Sequence, residues 1–204
     1  LKTFADYEKI DGIVVTVRDQ DIGKLRRIIA RNHIPKILAV EEADATRQQS
    51  TYRALQELKR RNVPDDSYVL IHNAVNPLVR HAELDACMEA AHRYGASLLG
   101  YEATDTVKVV NEDQLIDHTP NRNRVWIAQT PQIIRYDIAR RAFEHAHASG
   151  MVATDDTTLV EAIHGKVKFV GCSRENFKIT YPQDMILASK IHSKRIRENK
   201  VWYA

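Results

Sequence analysis

The chain is predicted to be an α/β domain: a mainly parallel sheet flanked by helices, with a β-hairpin arm projecting from it. Three features support that prediction. Short β-branched and aliphatic runs at 12–17 and 36–40 alternate with segments of helical periodicity. The continuous apolar run Tyr68-Val-Leu-Ile71 suits a strand covered on both faces. Two strand-like stretches, 106–110 and 114–119, are joined only by Asn111-Glu-Asp113, a hairpin spacing rather than a crossover.

Taken in order, residues 1–7 read as the tail of a helix. Gly12-Ile-Val-Val-Thr-Val17 is a strand. Asp21 is expected to cap the next helix, in which Leu25, Ile28 and Ile29 recur at helical spacing. With the strand at 36–40 this makes a βαβ unit. A helix over 47–60 buries Tyr52, Leu55 and Leu58. After the strand at Tyr68, a helix over 81–94 turns Leu84, Cys87, Met88 and Ala91 inward, and a strand follows at 96–100. Beyond the hairpin, Ile138, Ala142, Phe143 and Ala146 mark the buried stripe of a helix over 135–148. Thr154 is expected to cap a short helix over 155–163. Strands at 166–170 and 176–180 and a last helix from Pro182 to about Arg195 complete the chain.

Of the 204 residues, 44% are hydrophobic and 28% charged, ordinary for a single soluble globular domain. A net charge of +3 is too small to imply a nucleic-acid partner, and no apolar run is long enough to cross a bilayer. The start has neither the charge pattern nor the hydrophobic segment of a secretion signal, so a cytoplasmic protein is expected. Cys87 and Cys172 read as buried small hydrophobes rather than a disulfide framework. His145 and His147 are two apart on a helix and point to different faces, and no metal-binding pattern occurs; any metal site is left unassigned. The seven glycines form no phosphate-cradling loop.

Ligands of open α/β sheets bind beyond the carboxyl ends of the strands. Asn73 and Asn76, after the Tyr68 strand, therefore stand where a substrate would be held, or else simply shape a turn. Thr154 could add a helix-terminal phosphate contact. Lys178, among apolar neighbours, is either a solvated side chain or a point charge aimed at a phosphate.

Several segments, in order and at matching spacing, resemble the 2-C-methyl-D-erythritol 4-phosphate cytidylyltransferase family and its ribitol-phosphate cytidylyltransferase relatives. They are Thr46-Arg-Gln-Gln-Ser-Thr-Tyr-Arg-Ala-Leu55, Val69-Leu-Ile-His-Asn-Ala-Val-Asn-Pro-Leu-Val79, Asp105-Thr-Val-Lys108 and Asn121-Arg122. Trp126-Ile-Ala-Gln-Thr-Pro-Gln132, Ala153-Thr-Asp-Asp-Thr-Thr-Leu-Val-Glu161 and Glu175-Asn-Phe-Lys-Ile-Thr180 continue the series.

The resemblance implies a Rossmann-like sheet, one nucleotidyltransferase-like domain over 1–204, and an arm at about 102–124 that swaps contacts across a homodimer. It implies transfer of CMP from CTP, with Mg²⁺, to 2-C-methyl-D-erythritol 4-phosphate. Another polyol phosphate such as ribitol 5-phosphate is the alternative substrate, and a disabled homologue acting as a dimerising or binding module the alternative role. By position, Ser50, Asn73 and Ala74 would meet the nucleotide, and Lys178 would stabilise charge on its α-phosphate. Asn73, Asn76, Thr130 and Thr154 would bind the polyol phosphate, with Thr106 and Arg122 reaching in from the partner's arm.

The chain departs from the family pattern where His-Asp-Ala-Ala-Arg-Pro becomes His72-Asn-Ala-Val-Asn-Pro77, and where Asp44-Ala45 replaces a Gly-Gly pair. The family's Gly-rich loop, Pro-Lys pair and first strand lie upstream of the position matching Leu1. The chain is accordingly expected to be N-terminally incomplete, and inactive as it stands.

Overall fold

The structure, a computed structural model, describes residues 1–201. A short helix α1 (Lys2–Ala5) precedes a βαβ unit of β1 (Ile13–Val17), α2 (Asp19–Arg31) and β2 (Ile37–Glu42), whose strands pair in parallel. α2 starts two residues before the expected cap. Asp19 and Asp21 both lie in its first turn, where carboxylates oppose the helix dipole favourably, and Arg18 Nε donates to Asp21 at 3.0 Å.

α3 (Arg47–Arg60) has the predicted bounds because its start is written locally. The Thr46 hydroxyl accepts from the Gln49 N–H, and the Gln49 side chain accepts from the Thr46 N–H, a reciprocal capping box. β3 (Tyr68–Ile71) and α4 (His81–Tyr94) also match prediction. α4 stops at Gly95, whose φ of 89° places it in the left-handed region that a side chain would resist.

β4 (Ala96–Glu102) leads into the arm. The arm's paired strands are shorter than predicted, β5 (Val109–Val110) and β6 (Ile116–His118), and its tip is closed by Asn111 Oδ1 accepting from the N–H groups of Asp113 and Leu115. After a 3-10 turn (Arg122–Arg124), the chain returns as a single long strand, β7 (Trp126–Arg135). α5 (Tyr136–Ser149), α6 (Asp156–Ala162), β8 (Val167–Gly171) and α7 (Pro182–Val201) follow. Among the described residues no helix is long and apolar enough to cross a membrane.

The main sheet has the order β3-β7-β4-β8. β4 and β8 are parallel, but β7 is antiparallel to both β3 and β4, so the sheet is more mixed than predicted. The reason is the connection: β7 re-enters straight from a hairpin arm, without the helical crossover that parallel pairing needs. A second correction concerns 176–180, which is no strand. Its Asn176 N–H closes a turn on Ser173 O, and a single backbone bond, Ile179 N–H to Val75 O at 2.8 Å, ties it to the loop after β3.

Successive β7 residues build the two halves of the core, as strand alternation requires. Ile134 points to the cluster formed with Leu55, Tyr136, Phe143, Leu159 and Val160 under α3, α5 and α6. Ile133 points to the opposite cluster with Leu84, Cys87, Ala91 and Leu99 under α4. β1 and β2 form a sheet of their own, and no residue between 8 and 49 is buried. β1 and β3 each leave one edge unpaired among the described residues.

Candidate active site

Four segments meet at the carboxyl end of β3: the start of α3, the 72–76 loop, the middle of β7, and the start of α6. β7 is irregular at this point. Its pairing with β4 skips between Gln132 and Ala128, so Gln129, Thr130 and Pro131 leave the ladder, and Pro131 costs no sheet hydrogen bond there.

His72 sits within this corner, its ring packed against Phe4 at 4.7 Å. Burial pushes its imidazole down to about 4, so it is neutral at pH 7. Its tautomer then follows from its partners. Nε2 faces the Asn76 carbonyl at 2.8 Å and must donate; Nδ1 therefore accepts, and the Thr130 hydroxyl 3.1 Å away donates to it. The Asn73 N–H in turn donates to Thr130 Oγ1 at 3.3 Å.

This neutral histidine has a consequence for stability. Its proton affinity is lower folded than unfolded, so stability is full above about pH 6.5 and falls as pH drops toward about 4. The loss over that window should be on the order of 3 kcal/mol. Denaturant titrations at pH 4.5 and 7.5 check it. His72→Leu should show a flatter acid limb than the wild type.

Several side chains placed at the substrate by sequence are used internally instead. Thr130 is buried, its hydroxyl spent between His72 and Asn73. The buried Ser50 hydroxyl donates to Thr46 O at 2.8 Å and accepts from the Asp44 N–H at 2.9 Å, so it shapes the 44–50 loop. Asn76, 1% exposed, donates through Nδ2 to Gln129 Oε1 and toward Asn176 O. It joins the 72–76 loop to the 173–180 loop, and its Oδ1 is buried without a partner. Asn176 completes that junction by donating to Thr130 O at 2.8 Å.

Thr154 is exposed but caps nothing; Asp155 is the cap, accepting from the Thr158 N–H at 2.8 Å. The buried Gln132 Oε1 accepts from the N–H groups of Asp156 and Thr157 at 2.9 and 3.0 Å. The first N–H groups of α6 are thus occupied by protein, which removes the reason to place a phosphate on them.

Ala74 and Lys178 remain exposed, and Asn73 partly so. Lys178 lies between two anchors, Asn176 on Thr130 O and Ile179 on Val75 O, and makes no ion pair among the described residues. Thr106 and Arg122 lie on the arm, where Arg122 Nη1 donates to Thr104 O at 2.9 Å. Neither is bonded to the β3 corner within this chain.

Arg47 was not singled out by sequence reasoning. It donates through Nε to Asn73 Oδ1 at 2.9 Å and through Nη2 to Asp156 Oδ2 at 2.5 Å. It thereby joins α3, the 72–76 loop and α6. Asp156 is 1% exposed; burial pushes its carboxyl above the usual range despite the guanidinium beside it, and its Oδ1 has no partner. The overlooked signal was electrostatic. A cation as the first residue of a helix opposes the dipole, a local cost that calls for another role.

The family model of 2-C-methyl-D-erythritol 4-phosphate cytidylyltransferase matches residues 1–194. The chain belongs to this family.

A 2-C-methyl-D-erythritol 4-phosphate cytidylyltransferase of Desulforamulus reducens is 38% identical over 187 residues, covering 91% of this chain and 78% of the relative. One from Geobacillus thermodenitrificans is 34% identical over 198 residues, covering 97% and 84%. Among solved structures, 4-diphosphocytidyl-2C-methyl-D-erythritol synthase of Anaerococcus prevotii superposes with a TM-score of 0.83 at 30% identity, covering 94% of this chain and 82% of that one. The mixed α/β architecture is thus the cytidylyltransferase fold, and the corner beyond β3 lies where such sheets hold ligands. Against the family pattern, the two asparagines have separate fates: Asn73 stays at the open corner, whereas Asn76 is absorbed into the protein interior.

Proposed function

We propose that the chain is a cytidylyltransferase domain that transfers CMP from CTP to 2-C-methyl-D-erythritol 4-phosphate. A phosphate oxygen of the polyol attacks the α-phosphorus of CTP. The bond from that phosphorus to the α,β-bridging oxygen breaks, and pyrophosphate leaves with the electron pair. The observation that carries this reading is the convergence of Arg47, Asn73 and the doubly anchored Lys178 loop at the end of β3. Family membership supports it.

The work left to the protein in such a reaction is positioning and charge stabilisation. Lys178 supplies a point charge for the α-phosphate as it becomes five-coordinate. Ala74 presents backbone and a small side chain to the nucleotide, and Asn73 a side-chain amide. Thr154 is the remaining exposed hydroxyl assigned to the polyol phosphate from within the same chain, with Thr106 the other, on the arm. His72, Thr130, Asn76 and Ser50 hold these groups in place.

The residues present do not build a Mg²⁺ site. Among the described residues no three His, Cys, Asp or Glu side chains converge, Asn73 Oδ1 is held by Arg47, and buried Asp156 is paired with the same guanidinium. Magnesium belongs in this reading to the CTP phosphates, which commonly supply most of its ligands.

We further place the active form as a cytoplasmic homodimer joined through the arm. Val110, Leu115 and Ile116 leave the arm with an exposed apolar surface that a second copy would cover. Arg122 would then serve the partner's site as a clamp on phosphate. Arg122→Ala should lower turnover without altering the thermal melt of the protein. Mixing it with Lys178→Ala should restore part of the activity, since one of the two composite sites then carries both intact residues. A fully active monomer in analytical ultracentrifugation would overturn the arrangement.

The substrate assignment is tested by pyrophosphate release from CTP against a panel of polyol phosphates. In a protein that also carries the family's Gly-rich loop and Pro-Lys pair, turnover is expected with 2-C-methyl-D-erythritol 4-phosphate. Turnover with ribitol 5-phosphate alone, a reading that Asn73 favours by removing a carboxylate, would shift the substrate. CTP binding without any turnover would point to a binding module.

A further inference from the structure

The amide of Asn73 has a fixed polarity. Arginine has no acceptor atom, so the Asn73 atom that meets Arg47 Nε at 2.9 Å must be the carbonyl oxygen. The opposite end, Nδ2, has no acceptor among the described residues, yet it is not a buried orphan: the buried unpaired atoms are Oδ1 of Asn76, Asp156 and Asn176. Nδ2 therefore reaches solvent on a half-buried residue that precedes exposed Ala74 in the chain. The main chain of Asn73 is pinned independently by Thr130. Arg47 in turn cannot swing freely, because Asp156 holds its other edge.

We propose that Arg47 is a positioning residue that turns the Asn73 amide nitrogen outward. This corner then receives a phosphate oxygen directly, without a bridging metal ion. The inference rests on the cytidylyltransferase reading for the phosphate class of its ligand. A carboxylate at this position would accept from a hydroxyl or hold a cation. An outward Nδ2 does neither, because it only donates. Arg47 is charge-paired with Asp156, so the positive charge that suits an anion here comes from Lys178, exposed in the neighbouring loop.

The test is a titration of the ¹⁵N-labelled full chain in EDTA, following the Asn73 side-chain amide pair, identified as the pair lost in Asn73→Asp. CTP and 2-C-methyl-D-erythritol 4-phosphate are added separately. Whichever phosphate occupies the corner should shift that pair downfield, which distinguishes nucleotide from polyol phosphate as the source. Asn73→Asp should weaken binding of the same ligand at least about tenfold, the scale of one lost hydrogen bond to a charged group, with no recovery on adding Mg²⁺. An unmoved amide pair with both ligands overturns the proposal, as does selective broadening of the pair by Mn²⁺ alone.

Arg47 is tested in the double variant Arg47→Met/Asp156→Asn, which removes both charges and so avoids leaving one buried alone. The downfield response should fall while the protein still melts cooperatively; an unchanged response would deny Arg47 its positioning role. Pyrophosphate release separates the two levels of the argument. With turnover measured in a protein that also carries the family's Gly-rich loop and Pro-Lys pair, turnover beside a silent Asn73 amide sinks this inference alone, and an amide response without any turnover there sinks the functional reading alone.

Discussion

Lys178→Ala, in a protein that also carries the family's Gly-rich loop and Pro-Lys pair, is expected to lower both kcat and kcat/KM for pyrophosphate release by about 10²–10³-fold, the loss typical of removing one charge-stabilising donor from a transition state. Equal effects on the two constants are the signature of an interaction made only when the α-phosphate is five-coordinate. The exposed ammonium has no ion-pair partner among the described residues, so the substitution should change stability by less than about 0.5 kcal/mol. Steady-state kinetics beside a denaturant melt of the same preparation decide the matter. Unaltered turnover would remove Lys178 from the mechanism. A fall accompanied by a large loss of stability would reassign it to holding the 173–180 loop.

Arg47→Ala should produce the largest stability change of any single substitution at the site, about 3–5 kcal/mol at pH 7.5, because it strands the buried Asp156 carboxylate. The penalty should depend on pH, in a direction that follows from linkage. Burial already holds the Asp156 carboxyl above its usual range, and losing the guanidinium raises it further. The folded variant then binds that proton more tightly than the unfolded chain, so stability is lost as pH rises through the folded value. The difference between variant and wild type should therefore shrink toward pH 4. His72 titrates in the same range in both proteins and cancels from that difference. Adding Asp156→Asn to Arg47→Ala should recover much of the loss at neutral pH. A pH-independent penalty would show that Arg47 contributes by packing alone.

Local punctuation was what the sequence made legible. The Thr46–Gln49 box and Gly95 set the ends of α3 and α4 to the residue, since those signals act within one helical turn. β7 was not legible as one strand, because Pro131 interrupts it at a place where it has left the ladder to face the site. Residues 176–180 read as a strand from their composition, but the Asn176 side chain and one backbone bond fix them without any ladder.

The site divided the same way. Family resemblance picked out segments that the fold brings together at the β3 corner, but short polar side chains look alike in sequence whether they serve a ligand or the backbone. Ser50, Thr130 and Asn76 turned out to serve the protein. The Arg47 bridge spans 26 residues to Asn73 and 109 to Asp156, and no local pattern encodes such a contact.

The separation of β1 and β2 from the main sheet also bears on how the protein breathes. With no residue from 8 to 49 buried, that unit rests on its own parallel pair and on partial cover from α2 and α3. Its opening exposes little apolar surface, so it should occur at a free energy well below global unfolding. In native-state hydrogen exchange, the amides of Val14–Val17 should lose their protons through a low-energy, weakly denaturant-dependent opening. Those of Ile133 and Ile134 should exchange only when the whole molecule unfolds. The Arg47 bridge lies between the two regimes, at the boundary where a loosely held fifth of the chain joins a rigid remainder.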